Sequence, residues 1–372
     1  MAEAANWRLT TDYIGAGRFV LNARDAIVGT DYGVQCVSHG DASRDGWKVD
    51  LGSRCIGVVP GDGDTVVAAC VKGLYVLSLD GEQHWGTHTE KEVVYHAVPF
   101  RKGVLLTSRS ALHYLHEWQG SAWRFDLRKV LGQSVRAVRL VNLFALEENV
   151  VVGAVDYDSG IGRVIVLDAD GSALWMSDPG PLSELFPAGQ AVFVWGLAGY
   201  GKFETHMTRL DGHSIWDLDF AGVGALRADG AIAMIVGSNE SPEWDHWQYR
   251  QVSPTGKVER EIQAKGRSPV RPLCREDGSV FFIGTVAHTD PTSSRVDYTS
   301  FLAMPQEVIF QHLLGIRTQT REFDVYLQAV RPDADETELV YQSTGSYSLA
   351  LPVSLGSRVV FADGRVLIGI EA

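Results

Sequence analysis

The chain has 372 residues, of which 45% are hydrophobic and 21% are charged, and its formal net charge is −13 at pH 7. This composition excludes a mainly disordered chain and supplies enough apolar residues for a large core. The negative charge argues against non-specific binding to nucleic acids or to anionic membranes, because both require a basic surface on the protein.

The beginning of the sequence and the cysteines indicate the cellular compartment. Residues 1–10 contain neither the basic nor the apolar segment of a secretory signal. No uninterrupted apolar stretch is long enough to span a bilayer. The cysteines form no CxxC pair, so we expect buried free thiols at Cys36, Cys55, Cys70 and Cys274. We therefore expect a cytoplasmic protein that binds neither membranes nor nucleic acids.

Six tryptophans recur at one position of a repeated pattern, in which an apolar strand and a short polar turn precede the tryptophan. They are Trp7, Trp47, Trp85, Trp123, Trp175 and Trp216. Most of the intervals are about 40 residues, which lies in the range of propeller repeats. The turns carry Gly or Asp where a tight hairpin needs a positive φ, as in Asp80-Gly81, Asp170-Gly171, Asp211-Gly212 and Thr255-Gly256.

The repeat and its alternating apolar strands predict an all-β chain that folds as a single β-propeller domain of about eight four-stranded blades, with seven as the alternative. The predicted blades are 13–52, 53–90, 91–131, 132–179, 180–221, 222–265, 266–344 with an insert at 288–321, and 345–372 together with 6–12. In the last blade the N-terminal strand joins the C-terminal strands. This pairing would close the ring and remove exposed sheet edges.

One segment of the repeat identifies a related family. Residues 167–175 follow the pattern Leu-Asp-x-Asp-Gly-x-x-Leu-Trp, which resembles the tryptophan-docking repeat of the quinoprotein (PQQ-like) β-propeller superfamily, including its BamB-type non-catalytic propellers. The resemblance extends over nearly the whole chain. It implies the propeller fold and a packing role for the six tryptophans, but it implies no particular function, because catalytic and non-catalytic members share this packing.

Long connections in four neighbouring blades predict a binding face. We place the connections between the second and third strands of blades four to seven at 156–162, 196–203, 238–247 and 288–321, whereas those of blades two and three are tight. Loops on a rigid scaffold commonly carry function. The candidate binding residues are Tyr157, Asp158, Tyr200, Lys202, Glu243, Trp244, Asp245, His246 and Trp247.

Two features of this face have alternative interpretations. Trp244 and Trp247, flanked by carboxylates and a histidine, are typical of an interface hot spot, but one or both rings could instead fold back onto the blade edge. The insert at 288–321 could be a lid, a docking element or a structural ornament. Its apolar segment 307–314 could form either a strand or a short amphipathic helix.

Few residues indicate catalysis or metal binding. The sequence has no nucleophile-elbow, P-loop or dinucleotide-binding motif, and it lacks the adjacent cysteines that often accompany quinone cofactors. Asp156 with Asp158, or Asp168 with Asp170, could offer oxygen ligands to calcium, but neither segment continues into a calcium loop, so turn formation is the expected role. The histidine pairs at 84/88 and 113/116 do not have the geometry of metal ligands on a strand. We expect no cofactor and no metal.

The sequence therefore predicts a non-enzymatic protein–protein interaction scaffold, an accessory subunit of a multiprotein complex, which binds a protein partner through the face of blades four to seven. The alternative is an enzyme that acts on a small polar substrate, either a carbohydrate or a natural-product intermediate, in the central funnel. Propeller enzymes draw their catalytic residues from several blades, so spacing along the sequence would not reveal such a site.

Overall fold

A computed structural model gives the fold of the chain. It describes residues 5–10, 20–21, 25–38, 46–61, 63–88, 96–108, 110–117, 121–132, 135, 138–146, 148–156, 158–159, 161–182, 184–198, 202–220, 222–237, 247–266, 271–287, 323–345, 352–355, 357–363 and 366–371. Within these ranges nearly all regular structure is β-strand, and no helix is long and apolar enough to cross a membrane.

The first strand, β1 (Ala5–Thr10), belongs to the last blade. Blade one contains β2 (Val20–Leu21), β3 (Asp25–Gly29), β4 (Gly33–Ser38) and β5 (Lys48–Asp50). Blade two contains β6 (Cys55–Pro60), β7 (Thr65–Cys70), β8 (Gly73–Ser78) and β9 (Gln83–His88). Blade three contains β10 (His96–Phe100), β11 (Gly103–Thr107), β12 (Ala111–His116) and β13 (Ser121–Asp126), and a short helix, α1 (Leu127–Leu131), follows it.

Blade four contains β14 (Val138–Leu146), β15 (Asn149–Asp156), β16 (Ile161–Leu167), β17 (Ala173–Met176) and the short β18 (Gly180–Pro181). Blade five contains β19 (Glu184–Ala188), β20 (Ala191–Ala198), β21 (Lys202–Arg209) and β22 (Ser214–Leu218). Blade six contains β23 (Gly222–Leu226), β24 (Ile232–Gly237), β25 (Trp247–Val252) and β26 (Val258–Ala264). Blade seven contains β27 (Leu273–Cys274), β28 (Val280–Ala287), β29 (Phe323–Val330) and β30 (Glu338–Gly345). Blade eight contains β31 (Val353–Leu355), β32 (Arg358–Asp363) and β33 (Val366–Glu371) together with β1.

The sheets form an eight-bladed ring, which confirms the predicted fold class. Each is antiparallel, and in blades one to seven the main strands follow the order of the chain. Blade eight has the order β1-β33-β32-β31, in which Trp7 lies opposite Gly369. The N-terminal strand therefore closes the ring by pairing with the C-terminal strands, as the sequence predicts. The division of the whole chain into one domain with the stated blade boundaries stays a prediction.

The core is divided among the interfaces between consecutive blades. Seven apolar clusters each join strands of two neighbouring blades, from blades one and two to blades seven and eight. Middle strands such as β7 and β11 are buried along nearly their whole length, because a neighbouring blade covers each of their two faces. Outer strands such as β13 alternate between exposed and partly buried residues. This difference explains why the middle strands are continuously apolar in sequence and the outer strands alternate.

The repeated tryptophans lock each blade to the next. Trp123 in blade three donates its indole N–H to the carbonyl of Ala169 in blade four, at 2.9 Å. Its ring lies against Gly171, where a Cβ atom would be only 2.6 Å from the ring and where φ is +80°. Glycine is required at this turn for both reasons. Two further tryptophans repeat the arrangement: Trp47 with Leu79 and Gly81, and Trp216 with Pro254 and Gly256.

Trp175 also lies against a turn glycine of the next blade, Gly212. Trp85 and Trp7 occupy the equivalent position of their strands, opposite Val76 and Gly369 and next to the same β-bulge. The bulge allows the side chain at this position to turn towards the neighbouring blade.

Blade six uses an arginine where blades one to five use a tryptophan. Arg260 follows the same bulge in β26, and its guanidinium donates to the carbonyl oxygens of Pro332 (2.8 Å) and Arg331 (3.1 Å) in the turn of blade seven. In blade seven, Tyr341 occupies the position and packs edge-on against Phe361 of blade eight. Blades six and seven lack the tryptophan because the turns that it would contact are different. The turn in blade seven has no glycine, and in blade eight the two chain ends take the place of the turn.

Candidate functional site

The two ends of the ring differ in their connections. Val138, the first residue of β14, pairs with Asp156, the last residue of β15. The inner strands therefore begin at the same end as the connections between second and third strands, and we call this end the upper face. The opposite end, the lower face, carries the short turns that hold the docking glycines. At that end arginines bridge neighbouring blades, as Arg227 does by donating to the carbonyl of Gly278 (3.2 Å).

The four upper-face connections that the sequence predicts to be long are not all long. In blade six, residues 238–246 join β24 to β25, and in blade seven, residues 288–322 join β28 to β29; both segments lie outside the described residues. In blades four and five the expected long connections are wrong. β20 continues to Ala198 and β21 begins at Lys202, so only 199–201 connect them. In blade four only 157–160 connect the strands.

The physical reason is that the ladder continues through the glycine-rich sequence. Gly196 pairs with Glu204, and Leu197 pairs with Phe203, so the backbone groups of these residues have partners within the sheet. The strands β15, β20 and β21 each have 8 residues, compared with 5 in β3 and β11. Longer hairpins, rather than longer loops, therefore distinguish blades four and five from blades one and three.

Three of the predicted binding residues lie within the described residues. Asp158 is exposed in the connection of blade four, where its backbone N–H donates to the Asp156 carboxylate at 3.3 Å. Lys202 begins β21 opposite Ala198, and Trp247 begins β25 opposite Gly237. The others, namely Tyr157, Tyr200, Glu243, Trp244, Asp245 and His246, lie outside the described residues. Their proposed role stays a prediction.

Trp247 packs against its own blade. The side chain is partly buried beside the apolar cluster between blades six and seven. A Cβ atom on Gly237 would lie 3.1 Å from the ring, so the indole covers this glycine on the adjacent strand. This position matches the alternative stated above for one of the two rings. Any contact of Trp247 with a partner would therefore involve a ring that the blade already holds in place.

A buried ion pair lies at the upper end of the inner strands. Glu184 is the first residue of β19 in blade five, and Arg271 precedes β27 of blade seven. The Nε atom of Arg271 is 3.6 Å from Oε1 of Glu184, and their side chains are 22% and 10% exposed. Blade six lies between these blades, and the inner strands of a propeller surround its central channel, so we place the pair at the upper mouth of this channel. We call Glu184 and Arg271 the channel-mouth pair.

Burial controls the protonation of this pair. It raises the pKa of Glu184 above its ordinary value, and the positive charge of Arg271 offsets this effect only in part. The guanidinium of Arg271 also lies over the ring of Phe186, with 5.3 Å between its Cζ atom and the ring centroid. A carboxyl with a raised pKa beside a fixed cation is an arrangement found in ligand and catalytic sites.

Two more buried polar side chains occur on the neighbouring inner strand. Arg139 and Asn142 are both buried on β14, and the Asn142 amide donates to the carbonyl of Leu185 at 2.6 Å. The sequence analysis identified none of the channel-mouth residues. No motif surrounds them, and they come together only when the ring brings blades four, five and seven around one channel. The one available signal is the presence of charged residues at or near the beginnings of apolar inner strands.

The acidic turn at Asp168 and the histidine pair at 113/116 have structural partners. Asp168 accepts hydrogen bonds from the backbone N–H groups of Asp170 (2.9 Å) and Ser172 (2.8 Å), as expected for a turn. His113 and His116 contact different hydroxyl groups, those of Ser108 and Tyr114. In the part of the chain that the structure describes, no group of three Asp, Glu, His or Cys side chains is placed to hold a metal ion.

Comparisons with solved structures show which proteins share this fold. BamB from Moraxella catarrhalis superimposes with a TM-score of 0.62 at 12% sequence identity, covering 98% of each chain. The Dos1 propeller gives a TM-score of 0.59 at 8% identity, covering 98% of this chain and 93% of that one. Kluyveromyces lactis Hsv2p gives 0.51 at 9% identity, covering 90% and 99%.

BamB is a propeller of PQQ-like repeats, so the chain shares its fold with a member of the group that residues 167–175 resemble. At these identities the similarity concerns the fold alone. No protein-family model matches the chain, and no curated protein sequence matches it.

Proposed function

We propose that this propeller is a non-enzymatic scaffold that binds a protein partner through the upper face of blades four to seven. The observation that carries the proposal is that several connections on the lower face are short and alike, whereas those on the upper face differ in length from blade to blade. The lower-face turns of blades two, four, five and six are short and repeat the same glycine, because a tryptophan of the preceding blade packs on each. The upper face is free of this constraint, and it carries the extended hairpins and the segments 238–246 and 288–322.

Constraint on one face and variation on the other favour recognition at the variable face. A rigid ring holds loops in fixed relative positions, which lowers the entropy cost of forming an interface. Trp244, with Glu243, Asp245 and His246 beside it, provides the aromatic anchor and polar rim that interface hot spots contain. The proposal retains the expected cytoplasmic location and the role of an accessory subunit in a larger complex.

The experiment compares partner capture by purified wild-type and variant chains. Trp244→Ala should weaken capture about thirtyfold or more, as the loss of an interface hot spot does, while the melting temperature stays unchanged. Tyr32→Ala is the matched control, because Tyr32 is an aromatic residue that is 66% exposed in the upper-face turn of blade one, outside the proposed sector. Equal capture by wild type and Trp244→Ala would contradict binding through this part of the upper face.

The channel-mouth pair supports a second candidate function, an enzyme that acts on a small polar substrate in the funnel. Glu184, with its raised pKa, could exchange a proton with a bound substrate, and Arg271 could orient an anionic group. Turnover of a carbohydrate or a natural-product intermediate that Glu184→Gln abolishes would favour the enzyme. Capture of a stoichiometric partner that Glu184→Gln does not abolish would favour the scaffold.

A further inference from the structure

Within the described part of the chain, the channel-mouth pair uses little of its hydrogen-bonding capacity. Its polar contact there joins Nε of Arg271 to Oε1 of Glu184 at 3.6 Å, which is longer than a hydrogen bond. Among the described residues, neither side chain has a hydrogen-bond partner. A guanidinium that is mostly buried and a carboxyl that is almost fully buried would normally be satisfied by partners. Both therefore have the capacity to bind a group that enters the channel mouth.

The position of Arg271 suits an incoming anion. Its guanidinium lies over the ring of Phe186, a side chain that is itself buried in the cluster between blades five and six. Stacking fixes the guanidinium without using its N–H groups, which lie in the guanidinium plane. Such a group binds a carboxylate through two parallel hydrogen bonds.

The charges around Glu184 determine its protonation state when an anion binds to Arg271. β19 packs against β14, β20 and β23, and the only charged residue on these three strands is Arg139 of β14. Arg271 is the charged group that acts on the Glu184 carboxyl. A second carboxylate at Arg271 would repel an ionised Glu184, and burial already favours the protonated form. Glu184 would therefore take up a proton, and as a neutral acid it could donate a hydrogen bond to the ligand.

We propose that the channel mouth is a binding site for a carboxylate group, which Arg271 holds by paired hydrogen bonds while Glu184 takes up one proton. The carboxylate comes either from an acidic side chain of the protein partner or from a free small acid. Only the first of these sources rests on the proposed scaffold function. The site itself requires only Arg271 and Glu184.

The test measures binding of small probes to the isolated chain by NMR titration between pH 5 and pH 8. The probes are the blocked tripeptide N-acetyl-Gly-Asp-Gly-amide, its Asn counterpart, acetate and acetamide. The Asp peptide should bind and the Asn peptide should not. Because binding takes up one proton, affinity should fall about tenfold per pH unit above the pKa of Glu184 in the free chain.

Three variants separate the roles of the two residues. Arg271→Gln should abolish binding, and Arg271→Lys should weaken it at least tenfold, because lysine keeps the charge but lacks the paired donors. Glu184→Gln should bind more tightly than wild type at pH 7 and should lose the pH dependence. Arg128→Gln, at an exposed residue of α1, is the matched control and should bind as wild type does. Melting temperatures verify that each variant is folded.

The outcomes show where the carboxylate comes from, and they test the carboxylate site separately from the scaffold function. Acetate that binds as tightly as the Asp peptide indicates a free small acid, whereas a tighter Asp peptide indicates an acidic side chain. Equal binding of the Asp and Asn peptides, unchanged binding by Arg271→Gln, or affinity that does not vary with pH would overturn the proposed site. Because no partner is present, such a result would leave the scaffold function untouched, and loss of partner capture would likewise leave the site untouched.

Discussion

At the scale of single residues, the position that the repeated tryptophans occupy in the fourth strand of each blade shows how a repeat tolerates substitution. Trp47, Trp123 and Trp216 each donate one hydrogen bond and cover one glycine of the next blade. Arg260 keeps the first part of this interaction, since it donates to two carbonyl oxygens of the next blade. These four residues therefore share donation to the neighbouring turn, and the three indole rings lie where a glycine leaves room for them.

The first prediction concerns the glycine under a docked tryptophan. Gly171→Ala should destabilise the chain more than Gly52→Ala does. Both positions have positive φ, which costs an alanine about 1 kcal/mol. At Gly52 the new methyl group meets no atom within 4 Å, whereas at Gly171 it would lie 2.6 Å from the Trp123 ring. We expect a further loss of about 1–3 kcal/mol at Gly171, in the range measured for overpacked sites.

Chemical denaturation of the two variants measures this difference directly. The difference between the losses of unfolding free energy in Gly171→Ala and Gly52→Ala gives the cost of the contact with the Trp123 ring. The cost of an alanine at positive φ is common to both variants and cancels. Equal losses in the two variants would show that the tryptophan does not restrict the turn.

The second prediction concerns the stability of the buried carboxyl. Folding raises the pKa of Glu184, so the folded chain holds this proton at pH values where the unfolded chain has released it. Glu184 therefore lowers stability above its folded pKa and has no such effect below the ordinary range of glutamate. Because the pKa is raised in spite of Arg271, the cost of burial exceeds the benefit of the ion pair. Glu184→Gln should consequently stabilise the chain at pH 7.

The free energy of unfolding measured from pH 4 to pH 8 provides the test. The advantage of Glu184→Gln over wild type should disappear towards pH 4, and Glu82→Gln, at an exposed residue, should show little change throughout. A destabilised Glu184→Gln chain at pH 7 would mean that the ion pair outweighs the cost of burial.

At the scale of elements, one strand joins the two ends of the chain. β1 pairs with β33 over most of its length, from Ala5 with Ile370 to Thr10 with Val366. Without β1, the backbone groups of β33 on that side would form a free sheet edge, which promotes association with other chains. The third prediction is that removing residues 1–11 lowers the melting temperature and produces oligomers.

Size-exclusion chromatography with light scattering tests this prediction, and removal of residues 1–4 is the control because it leaves β1 intact. A synthetic peptide of residues 1–12 should restore the oligomeric state of the full-length chain by adding the missing strand. A truncated chain that keeps this oligomeric state with an unchanged melting temperature would show that ring closure does not depend on this strand.

The elements also show where sequence reasoning succeeds and where it does not. The tryptophan spacing predicts the blades and the closing strand because each repeat makes the same local contacts with the next. The glycine-rich residues 196–203 resemble a loop, yet β20 and β21 continue through most of them because the ladder satisfies their backbone groups. Local composition does not reveal pairing of that kind.

At the scale of the whole molecule, the ring brings together an ion pair that the sequence analysis did not find. Glu184 and Arg271 belong to blades that are not neighbours in the ring, and no motif surrounds either residue in the sequence. Only the closed arrangement of inner strands brings them together.

The most direct test of the scaffold function is a replacement of the blade-six connection. Gly237 and Trp247 are cross-strand partners, so a short Asn-Gly turn in place of residues 238–246 should close the β24–β25 hairpin without disturbing either strand. The control is Leu174→Ala/Ile215→Ala, which changes exposed apolar residues on the rim of blades four and five. The measurement is the amount of partner captured per folded chain. We predict at least a tenfold loss for the replacement and none for the control, and undiminished capture after the replacement would contradict the proposed binding face.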